Sequence, residues 1–405
     1  MLAEDRQTRH RQWCRRGRRS RTAKGRDVTK RRVFRFGVGW ALILALAVPV
    51  AASSGRDAPT KRLVLIDDDV VGLSGAPALL LQAPDVEVLG ITTTSGSVWR
   101  DTATAYALRT VEIVGRADVP VVPGATYPLL NNEAATARWE GLYGRLEFKG
   151  PWTAPAPGGA SGSEAGTPSP AVVPSLSIGN PVTKPSSEIA AAFLVRMVRA
   201  HPHQITLFAT GPITNIAIAQ SLDPSFAANV KDLVYMGGSL SPQQTLDTPA
   251  AAAFARGFLD TPRREFNIRW DPEAARIMAH GDWPKVTMVP IDPSTGTQWT
   301  RAFLDSLKPA HSLLTDALQT GLEPGFPMWD EIAAMAWLEP GIVTRAETLY
   351  IDFDTSQTAG YGDTLSWQAA YRPDLGERAQ TVVLRVDRAK METAMRALYM
   401  RRIRR

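Results

Sequence analysis

Between residues 61 and 390 the apolar positions come in short runs separated by helix-spaced segments. Leu63-Val64-Leu65-Ile66 is a continuous apolar run, the pattern of a strand covered on both faces. Ala76–Gln82 reads as a helix, Val86–Thr92 as a strand, Asp101–Val114 as a helix and Val119–Val122 as a third strand. After a break the rhythm resumes with a helix over Ser187–Ala200, the strand Ile205–Ala209 and a helix from near Thr214. Leu233–Met236 and Val286–Pro290 are strand-like, Pro272–His280 and Asp330–Leu338 helical, and Thr381–Val386 a late strand. Strands alternating with helices predict an α/β fold: a doubly wound, mainly parallel central sheet with helices on both faces.

The break itself, residues 150–186, is rich in Gly, Pro, Ser and Ala and nearly free of charge, and is expected to be a mobile surface insertion. No internal repeat is visible, so residues 61–400 form one domain, preceded by a linker at 53–60.

Charge changes the picture at the N-terminus. The chain of 405 residues carries a net +6. Residues 1–52 hold 14 Lys+Arg and 3 Asp+Glu, a net +11, which leaves −5 for the remainder. A mildly acidic body removes the main reason to expect nucleic-acid binding. The basic segment 1–35 runs into the apolar stretch 36–52, which ends in the small residues Ala51-Ala52-Ser53. Basic start, apolar middle and small-residue end have the form of a secretory signal, and Lys30-Arg31-Arg32-Val33-Phe34 has the look of a twin-arginine export signal. The expectation is an exported protein, periplasmic or extracellular, that meets a membrane only through this signal; an uncleaved signal anchor is the alternative. The lone cysteine, Cys14, lies in the basic segment, so the body has no disulfide, thiolate metal site or cysteine nucleophile.

The chemistry of the body starts at Ile66-Asp67-Asp68-Asp69, where three carboxylates stand at the end of the first strand. In parallel sheets ligands bind beyond the carboxyl ends of strands. Period-2 alternation points Asp67 and Asp69 the same way if the strand continues. Two such charges repel unless a cation lies between them, and an oxygen-only donor set suits Ca²⁺ or Mg²⁺. The plainer reading is a solvated strand end. Thr210-Gly211-Pro212-Ile213-Thr214-Asn215 follows another strand and can bring a carbonyl and hydroxyls to the same edge, or simply cap a helix. Asp330 opens a later helix, where an acid also complements the helix dipole.

Together these stretches resemble the inosine-uridine-preferring nucleoside hydrolases. LVLIDDD, VEVLGITTTSGSVWRDTATAYALRTVE, DVPVVPGATYPL, LFATGPITNIAIAQ, LVYMGG, REFNIRWDPEAARIM and MWDEIAAMAWLEP appear in the family's order over about residues 61–390. The resemblance implies hydrolysis of the N-glycosidic bond of ribonucleosides with a Ca²⁺ ion at the strand ends. It implies Asp67 as calcium ligand and general base, Thr210 as a ligand through its carbonyl, Asp330 as a further ligand, Glu265 and Asn267 as holders of ribose hydroxyls, and Met236 along the sugar pocket. Relatives are often dimers or tetramers.

The chain departs from the family in three places. The family's DTDPGIDD has a second acidic pair, whereas Asp67-Asp68-Asp69 is followed by Val70-Val71-Gly72-Leu73-Ser74-Gly75. Asp69, with Asp68, is the candidate to compensate. The asparagine after the second strand is Ser97 here, and the histidine before the late aspartate is Trp329, a residue able to stack on a base or to anchor the core. The expected set is therefore Asp67, Asp69, Thr210 and Asp330 around the ion, with Glu265, Asn267, Met236 and Trp329 around the nucleoside. A non-catalytic nucleoside- or sugar-binding relative is the alternative. A phosphatase with Asp-x-Asp after its first strand is opposed by the later motifs.

Overall fold

The computed structural model describes residues 61–146, 148–153, 169–241 and 263–401. All of them fall in one compact unit, Asp57–Arg405. The basic segment, the apolar stretch and the linker predicted for residues 1–60 lie outside the described residues.

Nine strands form one sheet: β1 Arg62–Asp68, β2 Val86–Thr93, β3 Val121–Pro123, β4 Ile205–Ala209, β5 Asp232–Met236, β6 Val286–Val289, β7 Val343–Phe353, β8 Thr364–Trp367 and β9 Arg378–Val386. Their order is β3-β2-β1-β4-β5-β6-β9-β7-β8. β1 to β6 and β9 run parallel to one another, while β7 is antiparallel to both β9 and β8. The expected doubly wound, mainly parallel sheet is present. The strand order reverses at β1, which lies between β2 and β4, so a crevice opens beyond the carboxyl ends of β1 and β4.

Burial explains why the strands read as unbroken apolar runs. Val64 and Ile66 enter one core layer with the helices Ala76–Gln82, Arg100–Ile113, Asp330–Leu338 and Arg388–Tyr399. Leu65, between them in sequence, enters the opposite layer with the helices Ala190–Ala200, Thr214–Leu222 and Pro272–Ala279. The helix Ala76–Gln82 is buried along its whole length, which is why it shows no polar face. Its neighbour Asp330–Leu338 is rich in alanine, and small side chains let the two backbones approach.

The antiparallel end, β7 and β8, is absent from the sequence reading. The first half of β7, Val343–Glu347, is largely solvent-facing and charged, so it lacks the apolar run of a covered strand. The described parts of the Gly/Pro/Ser/Ala-rich stretch hold no α-helix or strand. They are nevertheless fastened to the body. Glu112 Oε1 accepts from the backbone N–H of Val182 and of Thr183, each at 2.7 Å. Arg109 Nε donates to the Ile178 carbonyl at 3.0 Å, and Ser186 N–H donates to the Val121 carbonyl at 2.8 Å. Among the described residues no helix is long and apolar enough to cross a membrane.

Candidate active site

The three aspartates of the first motif are all buried at the point where the strand order reverses. Asp67 sits opposite Thr92 of β2 and Ala209 of β4. Its Oδ1 accepts from Thr92 Oγ1 and, at 2.8 Å, from Asn215 Nδ2. Its Oδ2 is buried and meets no donor. Asp68 Oδ2 accepts from Thr210 Oγ1 at 2.6 Å, and Asp69 accepts from the Ser97 backbone N–H. Strand β1 ends at Asp68. Period-2 alternation therefore does not carry through to Asp69, and Asp68 joins the cluster instead of facing away from it.

Two glycines make this crowding possible. A Cβ on Gly96 would stand 2.2 Å from Asp69 Oδ2, and one on Gly211 would stand 2.6 Å from the Asp69 nitrogen. The turns after β2 and β4 can close over Asp69 only without side chains there.

The late helix brings the remaining acids. Asp330 is half-buried, and its carboxyl is raised well above the ordinary range, first by desolvation and then by the charges of Asp68, Glu331, Asp69 and Glu265. Acids more than 250 residues apart along the chain thus share one field. Glu331, beside it, accepts from the backbone N–H of Gly75 at 2.6 Å and of Trp329 at 3.2 Å. Gly75 has φ +99° and precedes the helix Ala76–Gln82 without a capping side chain of its own. Glu331 supplies that acceptor from across the molecule.

Glu265 caps the short helix Phe266–Trp270, its carboxylate accepting from the N–H of Asn267 at 2.8 Å, Gly238 at 2.9 Å and Ile268 at 3.2 Å. Asn267 Nδ2 reaches the carbonyls of Thr210 at 3.3 Å and Met236 at 3.2 Å. Thr210, Met236, Glu265 and Asn267 are therefore one hydrogen-bonded group at the ends of β4 and β5. Burial pushes Asp67 up to about 7, Asp68 up to about 8 and Glu265 up to about 7. For Asp68 the charge of Asp69 adds to burial, while the bond from Thr210 opposes it.

Aromatic residues border the group. Trp329 is half-buried and meets Phe326 edge-on at 5.3 Å. Trp99 is buried and meets the exposed Tyr127 edge-on at 5.7 Å, whereas Tyr106 is packed inside its helix. Phe148 lies 4.7 Å from Phe266, and Trp152 stacks on Trp270 at 4.1 Å. Gly150 between them presses on the Gly96 carbonyl, so closely that a Cβ would stand 2.1 Å from it. Three of the body's histidines belong elsewhere: His201 and His203 precede β4, and His280 precedes β6 with Nε2 3.1 Å from Asp352 Oδ1. His311 is exposed.

The donor set is all oxygen, and the orphaned Asp67 Oδ2 lacks a positive partner. That chemistry fits a hard divalent cation. Its shell is not assembled: among the described residues no three His, Cys, Asp or Glu side chains are drawn into ion-holding geometry.

The profile of the family described as inosine-uridine preferring nucleoside hydrolase matches residues 64–393. The chain belongs to this family. By family it is a hydrolase acting on N-glycosyl compounds. It is 34% identical to uridine nucleosidase 1 of Arabidopsis thaliana over 56% of this chain and 55% of that one. It is 26% identical to the pyrimidine-specific ribonucleoside hydrolase RihA of Citrobacter koseri over 69% of this chain and 78% of that one. The chain thus spans only about half the length of the plant nucleosidases it matches. Among solved structures, a plant nucleoside hydrolase, PpNRh1, superposes with a TM-score of 0.63 at 24% identity, covering 85% of this chain and 99% of that one. That likeness establishes the shared fold.

Sequence reasoning left Glu331 without a role and gave Asn215 only that of a cap. Glu331 reads as an ordinary first-turn acid, and its signal is adjacency to Asp330. Asn215 reads as a capping residue, and only the pairing of β1 with β4 puts it against Asp67.

Proposed function

We propose that the protein hydrolyses ribonucleosides to ribose and free base, with a Ca²⁺ ion held by Asp67, Asp69, Asp330 and the Thr210 carbonyl. The observation that carries this reading is the burial of Asp67, Asp68, Asp69 and Glu265, with the half-buried Asp330, in one shared field at the strand-order reversal. Buried acids of one sign in such numbers call for a cation. When bound, the cation makes a water more acidic and offers positive charge to ribose hydroxyls.

The chain's own residues supply the rest. Asp67 is held by Thr92 and Asn215 through Oδ1, which leaves Oδ2 to take a proton from the attacking water. The water oxygen bonds to C1′ as the C1′–N bond breaks, and the bonding pair leaves with the base. Positive charge builds on the sugar, and the surrounding carboxylates favour it. Glu265 and Asn267 hold ribose hydroxyls, and Met236 lines the sugar's path; Trp329 stacks on the base. Fixing the ring this way converts encounter into orientation.

A second reading, a binder without turnover, is favoured by one observation. Where the family has its second acidic pair, the loop here sends Val70 and Leu73 into the core. Incubating the purified protein with inosine, uridine and other nucleosides, with Ca²⁺ or with EDTA, separates the two. Ribose release that EDTA abolishes supports hydrolysis. Saturable nucleoside binding with no ribose released supports the binder. We also propose export directed by the stretch 36–52; retention of activity in the cytosolic fraction of expressing cells contradicts it.

A further inference from the structure

A second cluster lies behind the short helix Phe266–Trp270. While Asn267 on this helix turns to the strand ends, Arg269 turns into a cleft of about 140 Å³ whose lining includes Asn131, Arg138, Trp139, Leu142, Tyr143 and Tyr361. Arg269 is 5% exposed. Its guanidinium lies over the ring of Trp139 at 5.0 Å and over that of Tyr361 at 4.9 Å. It makes no hydrogen bond or ion pair among the described residues, and its Nε and Nη2 are buried without acceptors. Burial pushes its pKa down to about 10, so it remains a cation at neutral pH.

Buried arginines are ordinarily paired with a carboxylate. The nearby acids are engaged elsewhere: Glu273 accepts from Tyr361 Oη at 2.9 Å, Glu140 pairs with Lys149 at 2.9 Å, and Asp363 pairs with Arg264 at 3.1 Å. The cleft lining itself holds two cations, Arg138 and Arg269, and no anion. The rest of the lining is chiefly aromatic and aliphatic, including Leu142 at 74% exposure. Asn131 is already spent on the Trp270 carbonyl and on Thr136.

We propose that this cleft binds a small organic anion, a carboxylate on an aromatic body. The guanidinium of Arg269, joined by Arg138 from the rim, takes the charge. Trp139, Leu142 and Tyr143 take the ring. The volume suits one ring, since a cavity of about 150 Å³ accommodates benzene. The site is separate from the acid cluster and does not depend on the protein being a hydrolase.

The test is calorimetric titration of the full-length protein with benzoate, with benzyl alcohol as the neutral counterpart and inorganic phosphate as the ringless anion. Saturable benzoate binding is expected, at least tenfold tighter than either control. Arg269→Gln is expected to weaken it at least tenfold. Arg138→Gln alters only an exposed rim residue, so it leaves folding untouched, and it is expected to weaken binding several-fold. No saturable benzoate binding overturns the proposal. So does phosphate or benzyl alcohol binding as tightly as benzoate, or unchanged affinity in Arg138→Gln.

Discussion

At the scale of single residues, the chemistry rests on Asp67, whose two carboxylate oxygens have different surroundings. One is bound by Thr92 and Asn215, and the other is buried and bare. A group fixed through one oxygen and open at the other is placed to move a proton. Asp67→Asn keeps shape and volume but removes the basic oxygen. Its kcat/KM is expected to fall by about 100-fold or more, the usual scale for a general base, with the circular dichroism spectrum unchanged; turnover near wild type refutes the role. Gly96→Ala probes the crowding, because its Cβ would stand 2.2 Å from Asp69 Oδ2. Displacing Asp69 costs about 1–3 kcal/mol, readable by chemical denaturation. Most of this site was legible in the sequence, since Asp67, Thr210, Glu265, Asn267 and Asp330 stand in motifs. Asp68's place in the cluster was not, because it depends on where β1 stops. Glu331's partner is a backbone N–H more than 250 residues away, which no local pattern announces.

At the scale of elements, the loop between β1 and the helix Ala76–Gln82 is where this chain leaves its family's pattern. The loop has exchanged acids for apolar residues and glycines. Val70 and Leu73 pack inward, and Gly72 and Gly75 take φ +74° and +99°. Glu331, on the late helix, then fastens Gly75 and so ties the loop to Asp330. Gly75→Ala is expected to cost about 1–3 kcal/mol from backbone strain alone. The new Cβ would meet Asp330 Oδ2 at an ordinary contact distance of 3.5 Å, so the cost is the strain; unchanged stability by urea unfolding counts against this. The parallel strands were legible as apolar runs because both faces are covered. The antiparallel strands β7 and β8 at the end of the sheet were not, since the first half of β7 faces water and carries charged residues that break the pattern.

At the scale of the whole molecule, a buried group of acids makes stability depend on pH and on metal together. Asp67, Asp68 and Glu265 have folded-state pKa values raised to about 7, 8 and 7, above ordinary carboxylates. A raised carboxylate pKa means the fold prefers the protonated form. In metal-free protein that contribution is complete below the ordinary carboxylate pKa and is lost as pH rises through about 7 to 8. The melting temperature in EDTA is therefore expected to fall from pH 5 to pH 8.5. Added Ca²⁺ binds the ionised form, so it is expected to raise the melting temperature more at pH 8 than at pH 5. A flat profile, unaltered by Ca²⁺, contradicts the electrostatic account.

The convergence of distant acids on one cation is tested most directly by calorimetric titration of Ca²⁺ into EDTA-stripped, desalted protein. One saturable site is predicted for the wild type, with affinity reduced at least tenfold in Asp67→Asn and in Asp330→Asn alike. Absence of Ca²⁺ binding in the wild type, or wild-type affinity in both variants, would contradict it.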